Sequence, residues 1–187
     1  MEITQPGGHI DHLLRQTRVH HVQLSAMADT KANMLLTISS VVITLSLRYV
    51  TDPLLRWPSI ALMAFCLATI VLAAYAVMPK MSARVPKSGG LRGGPQAAPD
   101  IHSPNFNLLF FGNFGMLDYD EFARAMEDVI NDPAKVYEAQ VREVYTLGVY
   151  LARNKYRFIR WAYLTFILGL FVSGIVLALT DALLLVG

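Results

Sequence analysis

From Asp11 to Thr51 the chain contains neither glycine nor proline. Nothing in that stretch stops a helix once it has started. Its first half is mixed in charge, and Ala32 to Leu47 carries no charge at all. The sequence therefore predicts one helix that begins polar and becomes a membrane span without a break. The charge-free part is a little under the ~20 residues a span needs, and Lys31 and Arg48 can snorkel to extend it. A polar file enters the span. Asn33, Thr37, Ser40 and Thr44 follow one another at four, three and four residues, which is one helical face, with Asp29 a turn earlier. Such a stripe is costly against lipid. It is expected to meet other helices, a second copy of the chain or water, as a transmission or oligomer stripe comprising Asp29, Lys31, Asn33, Thr37, Ser40 and Thr44.

Composition points the same way. The 187 residues are 54% hydrophobic and 16% charged, against about 25% charged in soluble domains, and the charges are missing in blocks. Ser59 to Met78 is a second charge-free run, and Trp161 to Thr180 a third. Cys66 is the only cysteine, which excludes an internal disulfide and a thiolate zinc site. The N-terminus lacks the short basic region followed by an apolar stretch that marks a cleaved signal.

The remaining segments are read in order. Residues 1–9 are expected to be disordered. A stem helix at 10–31 carries a seam of Ile10, Leu14, Thr17, His21, Leu24 and Ala28. The first span covers 32–50 and the second 58–78, with Ala61, Ala64 and Ala68 as a small-residue packing face. Residues 79–100, rich in Gly and Pro, form a flexible loop. Residues 101–132 hold an aromatic, Asn-rich loop and a short amphipathic helix, with Asp118 and Glu121 as a capping box. Asp132-Pro133 starts a second stem, 133–160, with a seam of Tyr137, Val141, Val144, Gly148, Leu151, Lys155 and Phe158. The third span covers 161–181, where Gly169, Ser173, Gly174 and Ala178 favour close packing and Asp181 ends the helix. The fold class is an all-α membrane protein with three transmembrane helices. Two of them continue into long cytoplasmic stems, expected to pair antiparallel beside a small cytoplasmic module. Lys and Arg cluster before the first span, after the second and before the third. By the positive-inside rule the N-terminus and central module are cytoplasmic and the C-terminus periplasmic.

Chemistry is sparse. His9, His12, His20 and His21 are too spread along one helix to enclose a metal, so no metal site is expected. No nucleophile, base and acid set is legible, and an enzyme is not expected. Arg153, Lys155, Arg157 and Arg160 sit where a span meets lipid headgroups and suit anchoring.

Three passages carry a resemblance: Ala28-Asp29-Thr30-Lys31-Ala32-Asn33; Asn107-Leu108-Leu109-Phe110-Phe111-Gly112; and Tyr145 to Arg157, with Leu147-Gly148, Leu151-Ala152-Arg153-Asn154 and Lys155-Tyr156-Arg157. In this order, at the ends of spans, they resemble the transmembrane Pycsar effector family. The resemblance implies an antiphage effector of the bacterial inner membrane. It would be activated by cyclic UMP or cyclic CMP from a partner pyrimidine cyclase, impair the membrane and cause abortive infection. It further implies no cofactor besides that ligand and the lipid bilayer as partner; the polar stripe leads to the expectation of a homo-oligomer, and basic residues clustered at the apolar segments to that of no nucleic-acid partner. No cyclic-nucleotide jelly roll fits in this chain, so the helical module itself must bind the ligand. Residues of the required types are Asn107, Phe110, Phe111, Asn113, Arg142, Tyr145, Arg153 and Lys155, giving a cation for the phosphate, aromatic faces for the base and amides for its edge. A constitutive channel or transporter subunit, and a membrane scaffold for a soluble partner, are the alternatives.

Overall fold

The computed structural model describes residues 7–78 and 106–186, and every regular element among them is helical. The elements are α1 (Gly8–Leu47), α2 (Arg56–Val77), α3 (Phe111–Phe114), α4 (Tyr119–Ile130), α5 (Pro133–Tyr150), a π-helical segment Leu151–Tyr156, and α6 (Arg157–Val186). Three helices are long and apolar enough to cross a membrane: Gly8–Leu47, Arg56–Val77 and the rod through Pro133–Leu183. The expected flexible loop at 79–100 and the first residues of the aromatic loop lie outside the described residues.

The boundaries follow from local chemistry. α1 runs unbroken from stem to span, as the absence of Gly and Pro requires. It stops at Leu47 rather than residue 50, because Asp52 organises the following turn. Its Oδ1 accepts the backbone N–H of Leu54 at 2.9 Å and of Leu55 at 3.2 Å, an Asx turn that leads into α2. Asp132 caps α5 as expected, accepting the Ala134 N–H at 2.9 Å. The capping box expected at Asp118 and Glu121 is not formed. Asp118 has the extended backbone of an N-cap, but its side chain makes no capping bond. Asp181 does not end the last helix, which continues to Val186. That aspartate is exposed, so its carboxylate is solvated without disturbing the backbone ladder, and no Gly or Pro follows until Gly187.

The chain forms two compact units. The first is built from 7–22 and 106–150. In it α1 and α5 pair in parallel: Asp11 meets Tyr137, Arg18 meets Glu143 and His21 meets Gly148. The order rises on both helices, which overturns the expected antiparallel pairing. Two stems that lead into spans from one side of a membrane necessarily share a direction. A second layer forms where Phe106, Leu108 and Leu117 are buried against Phe122, Ala125, Met126 and Val129 of α4.

The second unit comprises 23–78 and 151–186. Ala28, Ala32 and Leu35 of α1, Ala73 and Ala76 of α2, and Ile159 and Ala162 of α6 form its core. Four of these alanines, at 28, 32, 73 and 162, are 0% exposed, because small side chains let helix backbones approach closely. Gly169 lies against the Phe65 Cβ with no room for a side chain of its own, and Ser173 Oγ donates to the Pro58 carbonyl at 3.0 Å. Gly174 and Ala178 are exposed instead. On α2 the packing file is Cys66, Thr69, Ala73 and Ala76, not the expected Ala61, Ala64 and Ala68. The spacing of three, four and three places one file inward, and Thr69 hides its hydroxyl on the Phe65 carbonyl at 2.9 Å.

Candidate functional site

In the first unit, Asn107 is the most informative side chain. It is 1% exposed. Its Oδ1 accepts the Leu109 N–H at 3.0 Å, which folds the chain into a turn ahead of α3. Its amide nitrogen, Nδ2, is buried with no hydrogen-bond partner among the described residues. A buried donor left unpaired costs about 1–3 kcal/mol, and such groups demand an explanation. Arg142 of α5 bonds the residue just before it: Nη1 donates to the Phe106 carbonyl at 3.0 Å, and Nη2 to Glu138 Oε1 at 2.7 Å. One guanidinium thus ties the turn that holds Asn107 to α5. Tyr145, three residues along the same helix and so on a neighbouring face, is 72% exposed. Phe110 packs against Tyr150 with ring centroids 5.9 Å apart. Gly112 is required there, because a Cβ at that position would approach the Phe110 ring to 2.7 Å. Asn113 is half-buried in α3, and Phe111 begins that helix.

Further contacts brace the same unit. Glu143, with a side chain only 10% exposed, pairs with Arg18 at 3.2 Å. His21 lies over Gly148, where an added Cβ would sit 3.3 Å from the imidazole Cε1, and its Nδ1 is buried without a partner among the described residues. The Tyr137 phenol is pushed above its ordinary pKa by desolvation and by the hydrogen-bonded Asp11 carboxylate. Among the described residues, no three His, Cys, Asp or Glu side chains gather as a metal site. An open cleft of about 360 Å³ runs along α4, lined by Tyr119, Phe122, Ala123, Met126, Glu127, Ile130 and Asn131. It contains no cation and none of the expected ligand residues, so it does not suit a phosphate.

Arg153 and Lys155 belong to the second unit, on the π-helical segment. Arg153, Arg157 and Arg160 are exposed, which suits a headgroup contact. Lys155 is turned inward and only 14% exposed. Its Nζ donates to both oxygens of Asp29, at 2.7 and 2.8 Å, and to Ser25 Oγ at 2.8 Å. The next residue, Tyr156, donates its hydroxyl to the Leu24 carbonyl at 3.0 Å. Consecutive side chains reach the same helix because the wider π turn changes the phase of the seam; π segments of this kind recur at functional sites. The sequence flagged Asp29 and Lys155 separately, and their pairing is a finding of the structure. Ser25 and Tyr156 were missed, since periodicity carries no sign of a π turn.

A protein-family model described as the Pycsar effector protein domain matches residues 12–180. The match runs through both units and all three candidate spans.

The chain belongs to the Pycsar effector family.

It is accordingly an antiphage defence effector and a membrane protein, and its family implies a cyclic nucleotide signal made by a cyclase. No curated protein and no solved structure matches this effector. Its ligand-type residues divide between the units. Asn107, Phe110, Phe111, Asn113, Arg142 and Tyr145 belong to the first, while Arg153 and Lys155 belong to the second, where Lys155 is committed to Asp29.

Proposed function

We propose that this effector is activated by cyclic UMP or cyclic CMP and then impairs the bacterial inner membrane, ending infection by the death of the host cell. The observation that carries the proposal is the family match over residues 12–180. The ligand site proposed is the helical module of the first unit. Arg142 supplies the cation for the single phosphate charge, Tyr145 an exposed ring for the base, and Asn107 Nδ2 a donor for the pyrimidine O2, which uracil and cytosine share. The unpartnered state of Nδ2 supports that assignment, because a ligand acceptor would remove its desolvation cost. Phe110 and Asn113 form the wall that moves to admit the base, and Arg153 and Lys155 are retained as anchoring and coupling groups rather than ligand contacts.

The action proposed is binding without catalysis. Ligand inserted beside Arg142 displaces the turn at Phe106 and Asn107 and loosens α5 from the stem half of α1. Since α1 continues as one helix to Leu47, the change reaches the polar stripe along its own axis. Ligand shifts this equilibrium only by its differential affinity for the two states. The N-terminus and the module are assigned to the cytoplasm, where the cyclase product is made. Isothermal titration of the full chain in nanodiscs tests the reading. Binding of a cyclic pyrimidine nucleotide, lost in Arg142→Ala and weakened in Asn107→Ala, is expected; no heat from either nucleotide at high micromolar concentration would refute it.

A further inference from the structure

Three contacts in the second unit fix the register of α2 on α6. Tyr75 stacks on Phe158 with ring centroids 4.6 Å apart, Phe65 lies against Gly169, and the Pro58 carbonyl accepts from Ser173. The two helices run antiparallel, so Arg56, the first residue of α2, stands level with Leu177 of α6. α1 lies parallel to α6. Lys155 reaches Ser25 and Asp29, and Tyr156 reaches Leu24, which sets Lys31 level with Arg160 and Leu47 level with Val176. The spans are therefore even at one end and uneven at the other. At the even end Lys31, Arg160 and Trp161 are exposed at one height. At the uneven end α1 and α2 stop near Leu177, while α6 continues to Val186, about 14 Å farther.

At the height of Leu177 the two sides of this unit require different surroundings. The turn between α1 and α2 carries Arg48, Asp52 and Arg56, all exposed, and charged, non-helical backbone of this kind cannot face hydrocarbon. Trp57 is 59% exposed, with the Arg56 guanidinium 5.6 Å from its ring centroid, as suits a membrane–water boundary. At the same height α6 shows Ile175 and Leu179, 59% and 60% exposed, which need acyl chains. The next charge along α6 is Asp181. From charge to charge, Lys31 to Arg48 covers about 25 Å and Arg160 to Asp181 about 31 Å, against a hydrocarbon thickness of roughly 30 Å. α6 fits a bilayer, and the α1–α2 corner falls short by about 6 Å, all of it in one leaflet.

We infer that the α1–α2 turn dents one leaflet of the bilayer, drawing phospholipid headgroups and water below the plane of the surrounding membrane. Headgroups descend about 6 Å to meet the turn, where Arg48 and Arg56 offer donors to lipid phosphate, while acyl chains keep their full height along α6. A span shorter than the bilayer thins the bilayer around it, and the cost grows with the shortfall. Tilting the unit as a whole only transfers the step to the end where Lys31 and Arg160 are level. The dent belongs to the resting protein and needs no nucleotide.

The test uses the full chain in phosphatidylcholine liposomes without nucleotide, so that its outcome is independent of the ligand proposal. In a Cys66→Ala background, which removes the only native thiol, Tyr49→Cys on the turn and Leu179→Cys on α6 place thiols at about the same height on the two sides. A membrane-impermeant maleimide is supplied to both faces of the bilayer, and each rate is taken relative to the same variant in dodecyl sulfate. The Tyr49→Cys thiol is expected to react several-fold faster than the Leu179→Cys thiol. Equal rates, or a faster reaction on α6, would mean a flat leaflet and overturn the inference. Trp161→Phe leaves Trp57 as the single tryptophan and gives a second readout without added cysteines. Iodide quenching of Trp57 should hold nearly constant as the liposome acyl chains are lengthened, because the headgroups follow the turn. A several-fold loss of quenching would show Trp57 sinking into hydrocarbon and contradict the dent.

Discussion

Replacing Asp29 with alanine strands Lys155, which is the more buried member of the pair: its side chain is 14% exposed against 41% for Asp29. At 2.7 Å and an effective dielectric of about 20, the gross attraction is about 6 kcal/mol. Desolvation and solvent screening of the half-open carboxylate cancel most of it. The expected cost of Asp29→Ala is about 2–3 kcal/mol, near the lower edge of values for buried pairs. Lys155→Met keeps the aliphatic stem and leaves a carboxylate that water can reach, so about 1–2 kcal/mol is expected. The double variant should be more stable than additivity predicts by about 1–2 kcal/mol. Equilibrium unfolding in mixed detergent micelles, followed by helical circular dichroism, measures all four corners of the cycle. Additivity within about 0.5 kcal/mol would refute the reasoning, as would a larger cost for Lys155→Met than for Asp29→Ala.

Other consequences are as direct. Gly169→Val places a side chain into Phe65 and should cost about 1–3 kcal/mol in the same unfolding measurement, while Gly174→Val, in open space, should be nearly neutral. Arg142→Ala removes the donor to the Phe106 carbonyl; amide hydrogen exchange across 106–110 should speed up while the spans stay protected. Tyr137 carries a pH signature. Its pKa is raised in the fold, so its contribution to stability is complete below the unfolded value near 10 and is lost as pH rises through the higher folded one. Asp11→Asn should bring the Tyr137 titration to lower pH, read from its ring carbon shift by NMR; no movement would remove the Asp11 contact.

Much of this architecture is legible in the sequence, for physical reasons. A helix without breakers from Asp11 to Thr51 leaves little freedom, and both seams fall on residues that are buried or half-buried. Long periodic patterns specify elements and faces well. Capping at Asp118, the end of α6 and the inward file of α2 were less legible, since each depends on which neighbour a side chain finds. The π segment at Leu151–Tyr156 leaves no periodic mark, and with it the Lys155–Asp29 pair and Tyr156 stay hidden. In the candidate site, the residue types at 107, 142 and 145 could be named, but the unpartnered amide of Asn107 is visible only once its surroundings are folded.

The most direct test of the central claim is dye release from liposomes of anionic bacterial lipid that contain the full chain. Cyclic UMP or cyclic CMP should trigger release, cyclic AMP and cyclic GMP should not, and Arg142→Ala should abolish the response. Release without any nucleotide, or none with either pyrimidine nucleotide, would contradict a ligand-activated membrane effector.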